Sequence, residues 1–159
     1  MLMPKLLFRA TRDGFRSADF HRHCDGKLKT VTIIKSDQDD LFGFYATRDL
    51  ASNCDDFEKG ILIRDDESFT FRLENDKCYT FHLEEDKAEC PLVTYDSTLL
   101  LSYAYCFWIS DQSDVKYSSS QEDVELHILP QNRLPGKKQR YFSEDDFLVK
   151  EIEVFHILD

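Results

Sequence analysis

The chain has 159 residues, of which 42% are hydrophobic, and this size predicts one domain over residues 1–159 with one core. Its 31 acidic and 20 basic residues give a net charge of -11, so the average surface repels nucleic acid phosphates and anionic lipid headgroups. We therefore expect no nucleic-acid partner and no insertion into a membrane.

The chain begins with a predicted strand and a predicted helix. Apolar residues within 6–9 favour a short strand, and residues 18–24 favour a helix. Ser17 is suited to cap the first turn of that helix, and Gly26 is suited to end it.

Two hairpins follow from alternating patterns. Residues 30–35 and 41–45 are predicted strands on either side of an acidic turn. Residues 69–73 and 79–83 alternate apolar and polar side chains and are separated by a polar turn, which predicts a second hairpin.

The remaining predicted strands are shorter or less regular. They cover residues 61–64, 103–109, 124–129 and 148–155. In the last one, Ile152 and Val154 are expected to face the core, and Glu151 and Glu153 to face water.

Two further segments complete the prediction, a short helix within 49–59 and a mobile Ser- and Asp-rich loop over 111–123. Together these elements predict an α+β, mainly β fold. Two antiparallel sheets pack as a sandwich with short peripheral helices, because neither sheet can leave both faces in water.

The cysteines and the apolar runs indicate a reducing compartment. The five cysteines are odd in number, widely spaced and never arranged as CxxC, so neither a disulfide framework nor a zinc site is predicted. The longest apolar run, 99–109, is far shorter than the ~20 residues of a membrane helix. The first residues lack the features of a signal peptide, so we expect a cytoplasmic location.

Two groups of potential metal ligands occur in the sequence, but neither predicts a metal site. His21 and His23 on one helix point about 200° apart, and the pair of His21 and Cys24 finds no second pair to complete a site. The cluster Asp37, Asp39 and Asp40 lacks the glycine and glutamate of a calcium loop. A charged hairpin tip is the simpler interpretation, with a calcium-dependent module as an alternative.

The search for catalytic groups yields one candidate. No GxSxG motif and no phosphate-binding glycine loop is present, so no catalytic set and no cofactor is predicted. Cys24 lies near His21 and His23 and is the best single nucleophile, but Asp25 beside it disfavours a thiolate.

Several separated motifs, in a consistent order, carry a resemblance to a known family. They are LFRATRDGF at 7–15, ADFH at 18–21, CDGK at 24–27, TIIK at 32–35, FGFY at 42–45, WISD at 108–111 and VKEIEVF at 149–155. In this order they resemble TLDc domains over nearly the whole chain. The chain departs from the family where Gly43-Phe44 replaces two glycines and where residues 103–107 replace a glycine-rich segment.

The resemblance implies a β-sandwich in proteins that bind the vacuolar proton-pumping ATPase and contribute to oxidative-stress resistance, with no catalytic set to transfer. Our first hypothesis is a non-catalytic, monomeric protein-interaction domain whose partners are subunits of that ATPase. The alternative is a thiol-based redox-active or antioxidant enzyme that uses Cys24.

Four charged residues near the predicted helix are the candidate partner-binding residues. Arg12 and Asp13 precede the turn residue Gly14, and Asp25 and Lys27 follow the helix. Such residues either form local hydrogen bonds within a turn or contact a partner, and the sequence leaves both interpretations open.

Overall fold

The computed structural model describes residues 3–50, 61–63, 65–82, 92–94, 99–103, 106–120, 142–143 and 146–158, and for 61–63, 92–94 and 99–102 it describes the backbone only. Within these residues the strands form two six-stranded sheets. Sheet A has the order β1 (Met3–Arg9), β12 (Val149–Leu158), β2 (Thr30–Ser36), β3 (Leu41–Ala46), β5 (Phe69–Glu74) and β6 (Lys77–Phe81). Sheet B has the order β11 (Asp146–Phe147), β10 (Ser118–Ser120), β9 (Phe107–Ser110), β8 (Leu99–Tyr103), β7 (Leu92–Thr94) and β4 (Ile61–Ile63).

Every strand pairing in both sheets is antiparallel, so the predicted mainly β sandwich is confirmed. The helices are short, α1 (Ala10–Asp13) and α2 (Ser17–Cys24), and they lie between β1 and β2 in the chain. The predicted strands at 6–9, 30–35, 41–45, 61–64, 69–73 and 148–155 are all present, with ends that differ by a few residues.

Strand β12 occupies the inner position that its alternation predicts. It pairs with β1 on one side and with β2 on the other, so the two ends of the described chain lie side by side. Ile152 and Val154 are fully buried, as expected, whereas Glu151 and Glu153 are partly exposed on the other face.

The two predicted hairpins are confirmed. Strands β2 and β3 pair across the acidic turn, and β5 and β6 pair across a turn of two residues, Asn75 and Asp76. Both turn residues have positive φ, 50° and 60°, which is the backbone geometry that matches the twist of a two-residue hairpin.

Aromatic rings from both sheets fill the core. Phe42 of sheet A packs against Phe107 of sheet B with ring centroids 5.0 Å apart, and Phe44 lies 5.5 Å from Tyr103. All four side chains are buried. Burial of such large rings is the main stabilising contribution to a sandwich of this size.

The prediction of a single strand over 103–109 is wrong. Strand β8 ends at Tyr103, the Cys106 amide donates to the Tyr103 carbonyl at 3.0 Å, and β9 returns from Phe107. Tyr103 and Phe107 are directly opposite each other in the register. Because both face the core, the reversal lies inside one continuous apolar run and leaves no polar break in the sequence.

The predicted capping of α2 by Ser17 is also wrong. Ser17 is the first helical residue and is buried, and its amide donates to the Asp111 carboxylate at 2.7 Å. An acidic side chain from a distant turn therefore satisfies the helix N-terminus. At the other end, Gly26 with φ of 76° follows the last turn, as predicted.

Three other predicted segments have different outcomes. The loop predicted over 111–123 includes strand β10, which pairs with β9 and β11. Asp49 and Leu50 are not helical, and the rest of the helix predicted within 49–59 lies outside the described residues. The strand predicted at 124–129 also lies outside them.

Candidate functional site

The motif residues at the start of the chain form a corner where β1 leads through α1 into α2. Gly14 separates the two helices with φ of 113°, a conformation that favours glycine. A Cβ atom at Gly14 would lie 2.2 Å from the Asp19 carboxylate, so a larger residue there would also displace the Asp19 side chain. The backbone conformation at Gly14 therefore sets the turn between α1 and α2.

Asp13 binds several donors within this corner. Its carboxylate accepts a hydrogen bond from the Arg9 amide at 2.9 Å and two from the Arg12 guanidinium at 2.7 Å each. His23 approaches it with Nε2 at 3.9 Å. The two hydrogen bonds that Arg12 donates to the Asp13 carboxylate hold the pKa of Asp13 well below its usual range, and the same bonds raise the pKa of Arg12.

Strand β12 attaches the corner to the sheet through two glutamates. Glu151 accepts hydrogen bonds from the Thr11 amide at 3.0 Å and from the Thr11 hydroxyl. Glu153 accepts one from Nε of Arg9 at 2.7 Å. The two outward-facing acids of the closing strand therefore position α1, a role that the sequence did not indicate.

A cleft of about 580 Å³ lies between this corner and the turn at 112–115. Two arginines line it, Arg12, which remains half exposed beside Asp13, and Arg16, for which the described residues provide no ion-pair partner. The other wall includes Val115, which is 69% exposed, and Tyr117 follows it at 66% exposure. Exposed apolar side chains beside an exposed cation are typical of a surface that meets another protein.

The cleft walls are held together by backbone contacts. The Gln112 amide donates to the Phe15 carbonyl at 2.8 Å, and the Val149 amide donates to the Ser113 carbonyl at 2.8 Å. Together with the bond from Ser17 to Asp111, these contacts fix the turn against α2. The backbone segments that carry the arginines and Val115 are therefore held in a defined position relative to each other.

The candidates Asp25 and Lys27 lie at the other end of α2. The Asp25 carboxylate is 2.7 Å from Nδ1 of His21, and Lys27 is half-buried. Among the described residues no hydrogen bond or ion pair joins this pair to Arg12 and Asp13. The four residues predicted as one partner-binding set therefore form two separate groups, and the cleft contains only the first group.

The geometry around Cys24 does not favour a reactive thiol. Its side chain is fully buried, and burial, together with the nearby Asp25 and Asp13 charges, raises the pKa of Cys24 to about 12. Burial likewise raises the pKa of Cys106. Cys78 is the exposed cysteine among those that the structure describes.

The acidic hairpin tip binds protein groups. Asp37 accepts the Leu148 amide at 3.2 Å, and Asp39 lies 3.1 Å from Nζ of Lys150. Asp40 accepts the hydroxyl of Ser143 at 3.0 Å. The three carboxylates serve three different contacts, and no group of three potential ligands that could hold a metal ion occurs in the described part of the chain.

The sequence prediction missed Arg16, Val115 and Tyr117. Arg16 lies between the family-like motifs at 7–15 and 18–21, and nothing in its local pattern separates it from other surface cations. Val115 and Tyr117 are bulky apolar residues in a Ser- and Asp-rich stretch. This contrast is the feature of the sequence that could have indicated an exposed contact surface there.

A family model described as TLDc domain matches residues 2–158. No curated protein matches the chain. Among the described residues, none of the helices has the length and apolar character that crossing a membrane requires.

Proposed function

The chain belongs to the TLDc domain family, and from this premise we propose that it is a non-catalytic protein-interaction domain that binds subunits of the vacuolar proton-pumping ATPase. Through this binding it contributes to oxidative-stress resistance, with which the family is generally linked. It acts as a monomer in the cytoplasm. The match over residues 2–158 supports the family part of this proposal.

The observation that carries the proposed binding is the cleft beside α1 and α2. It brings the half-exposed Arg12, and Arg16, for which the described residues provide no ion-pair partner, beside the exposed side chain of Val115. Tyr117, which is also exposed, follows two residues after Val115 in the chain. Arginine and aromatic residues are enriched in protein interfaces, and a fixed backbone lowers the entropic cost of binding. We expect the partner to present an acidic side chain to the arginines and an apolar one to the opposite wall.

Binding to the ATPase tests this proposal. The folded domain is immobilised and incubated with detergent-solubilised membranes and with cytosol, and retained ATPase subunits are identified by mass spectrometry. Arg16→Glu is expected to lower the affinity roughly tenfold, about 1.4 kcal/mol, because the cleft then repels an acidic partner. Lys77→Glu makes the same charge change on strand β6 and is expected to bind like the parent.

Two results would count against the proposal. The first is the absence of ATPase subunits from the retained fraction while circular dichroism shows the domain to be folded. The second is equal binding by the parent and by Arg16→Glu, which would place the interface outside the cleft.

The redox alternative finds no support at Cys24, since its thiol is buried and its pKa is raised. A redox enzyme of this kind needs an accessible thiolate at neutral pH. The interaction domain is therefore the function that the geometry supports best.

A further inference from the structure

Strand β6 forms one edge of sheet A, at the opposite end of the sheet from β1. The hairpin with β5 is closed by a two-residue turn, so Glu74 and Lys77 form its first hydrogen-bonded pair. Hydrogen-bonded pairs then alternate along the ladder. As a result the backbone groups of Cys78 and Thr80 point away from β5.

Within the described part of the chain, these outward backbone groups have no hydrogen-bond partner. The structure gives no hydrogen bond for the backbone of Cys78 or Thr80 on the open side, within the residues that it describes. Both residues are exposed. Two N–H and two C=O groups in this arrangement can form main-chain hydrogen bonds with one more strand.

The other edge of sheet A differs in this respect. Strand β1 contains Pro4, which has no N–H, and a register irregularity between Leu6 and Phe8. The amide of Arg9 is already bound to Asp13. These features are typical of an edge that is protected against pairing, so the openness of β6 is not a general property of this sheet.

A pocket lies directly beside the open edge. It has a volume of about 470 Å³ and is lined by Leu41, Leu73, Cys78 and the turn residues between β5 and β6. The register places Leu41, Leu73 and Cys78 in one row on the same face of sheet A. A side chain on an added strand, opposite Cys78, would be adjacent to this apolar row.

A second apolar row crosses the same face farther along the edge. Tyr45 packs on Phe69 with ring centroids 5.4 Å apart, and Phe69 packs on His82 at 5.4 Å. His82 follows β6 at a spacing of four residues from Cys78. Cys78 and His82 therefore mark two contact points four residues apart, and an extended strand places residues at this spacing on the same face.

Lys77 adds a charge requirement. It is exposed at the start of β6, and the described residues provide no ion-pair partner for it. It lies on the opposite face of the sheet from Cys78. In an added antiparallel strand, the residue that follows the one opposite Cys78 lies opposite Lys77. An acidic side chain at that position would therefore face Lys77.

We propose that the β6 edge binds an extended protein segment as a seventh strand of sheet A. The segment carries apolar side chains at alternate positions, which contact the two apolar rows of sheet A. It also carries an acidic residue opposite Lys77. This surface lies away from the cleft at α1 and α2, so the proposal does not depend on the ATPase interaction.

A synthetic peptide tests the proposal on the full chain. The probe is acetyl-Val-Thr-Val-Thr-Leu-Glu-amide, which in antiparallel register places Leu opposite Cys78 and Glu opposite Lys77. We expect saturable binding with the largest amide chemical-shift changes at Cys78 and Thr80. Binding to an edge strand requires only those peptide amides that face β6.

Two N-methylated peptides provide the decisive comparison. Methylation of the Leu amide, which faces β6, is expected to weaken binding by at least about tenfold. The backbone amide of the Thr that precedes Leu faces solvent. Its methylation is expected to change the affinity by less than about threefold. Equal effects of the two methyl groups, or no shift at Cys78 and Thr80 with millimolar peptide, would overturn the proposal.

Variants of the chain supply an independent measurement. Lys77→Glu is expected to weaken peptide binding by about fivefold at low salt, and Arg16→Glu is expected to leave peptide binding unchanged. Thr80→Pro removes an outward N–H without removing a bond to β5, and is expected to abolish binding. If the parent instead forms dimers that Thr80→Pro dissociates, a second copy occupies the edge and the proposal of a separate partner is wrong.

Discussion

Phe44 on β3 and Tyr103 on β8 pack across the two sheets with ring centroids 5.5 Å apart. Phe44 and Tyr103 lie at the two places where the chain departs from the glycine-rich pattern of TLDc domains, residues 43–44 and residues 103–107. Phe107, at the second departure, also contacts Phe44, with a centroid separation of 6.3 Å. The bulky residues therefore compensate for one another, since both departures place rings in the same part of the core.

This compensation predicts coupled stability effects. Phe44→Ala is expected to lower the free energy of unfolding by about 3–5 kcal/mol, because Phe44 is fully buried. Tyr103→Ala should lower it by a similar amount, and the double variant by less than the sum, by about 1 kcal/mol or more. Urea denaturation gives all three values, and strict additivity would show that the two rings are energetically independent.

Asp111 provides a test of the distant helix cap. Asp111→Ala removes the acceptor of the Ser17 amide and should lower the free energy of unfolding by about 1 kcal/mol. Asp114→Ala is the matched control in the same turn, since Asp114 is exposed. A control variant as unstable as Asp111→Ala would mean that turn charge, and not capping, determines the effect.

The alternation of apolar side chains was enough to predict most of sheet A. In β12, for example, the burial of Ile152 and Val154 follows from a pattern of period two. The reversal after Tyr103 could not be predicted in this way, because the residues on both sides of it are apolar and core-facing. Strand β10 consists of three serines and presents no apolar pattern at all.

The candidate site was predictable only in part. Arg12 and Asp13 were found through the family motif, and their mutual hydrogen bonds are local. The contribution of Val115 depends on the backbone bond between Gln112 and Phe15, which connects segments far apart in the chain. Local patterns carry no information about such contacts.

The carboxylate of Asp13 predicts a pH-dependent contribution to stability. Because Arg12 lowers its pKa in the folded state, the unfolded chain binds more protons near the ordinary carboxyl pKa of about 3.9. The stabilisation is therefore fully present above that pH and is lost as the pH falls towards the lower, folded-state pKa. Asp13→Asn should be less stable than the parent at pH 6, and the difference should shrink below about pH 3.9.

Urea denaturation of both proteins at several pH values measures this difference. Asp114→Asn, which changes an exposed carboxylate at the same cleft, should remain close to the parent throughout. A constant difference between Asp13→Asn and the parent across the pH range would contradict the assignment.

Thiol labelling separates the interaction domain from the redox alternative. In the folded protein, Cys78 should react with an alkylating reagent at the rate of an ordinary exposed thiol. Cys24 and Cys106 should react at least about a hundredfold more slowly, because both are buried and burial raises their pKa values. Peptide mapping by mass spectrometry gives the rate at each site. Rapid native-state labelling of Cys24 would revive the redox hypothesis.

Removal of the closing strand should have the most severe effect. Strand β12 pairs with β1 and β2, contributes Ile152 and Val154 to the core, and positions α1 through Glu151 and Glu153. Truncation after Asp146 exposes the apolar surface that the strand covers and leaves the backbone of β1 and β2 unpaired. The loss is several kcal/mol against a total stability of about 5–15 kcal/mol.

We therefore expect the truncated chain to be insoluble, or to retain secondary structure without a cooperative unfolding transition, and to lose binding at the cleft. The double variant Glu151→Gln, Glu153→Gln keeps the strand and weakens only its contacts with Thr11 and Arg9. It should unfold cooperatively with a modest loss of stability and with weaker partner binding. If the truncated chain unfolds cooperatively at an unchanged urea midpoint, β12 is peripheral, and the inner position between β1 and β2 does not determine the stability of the fold.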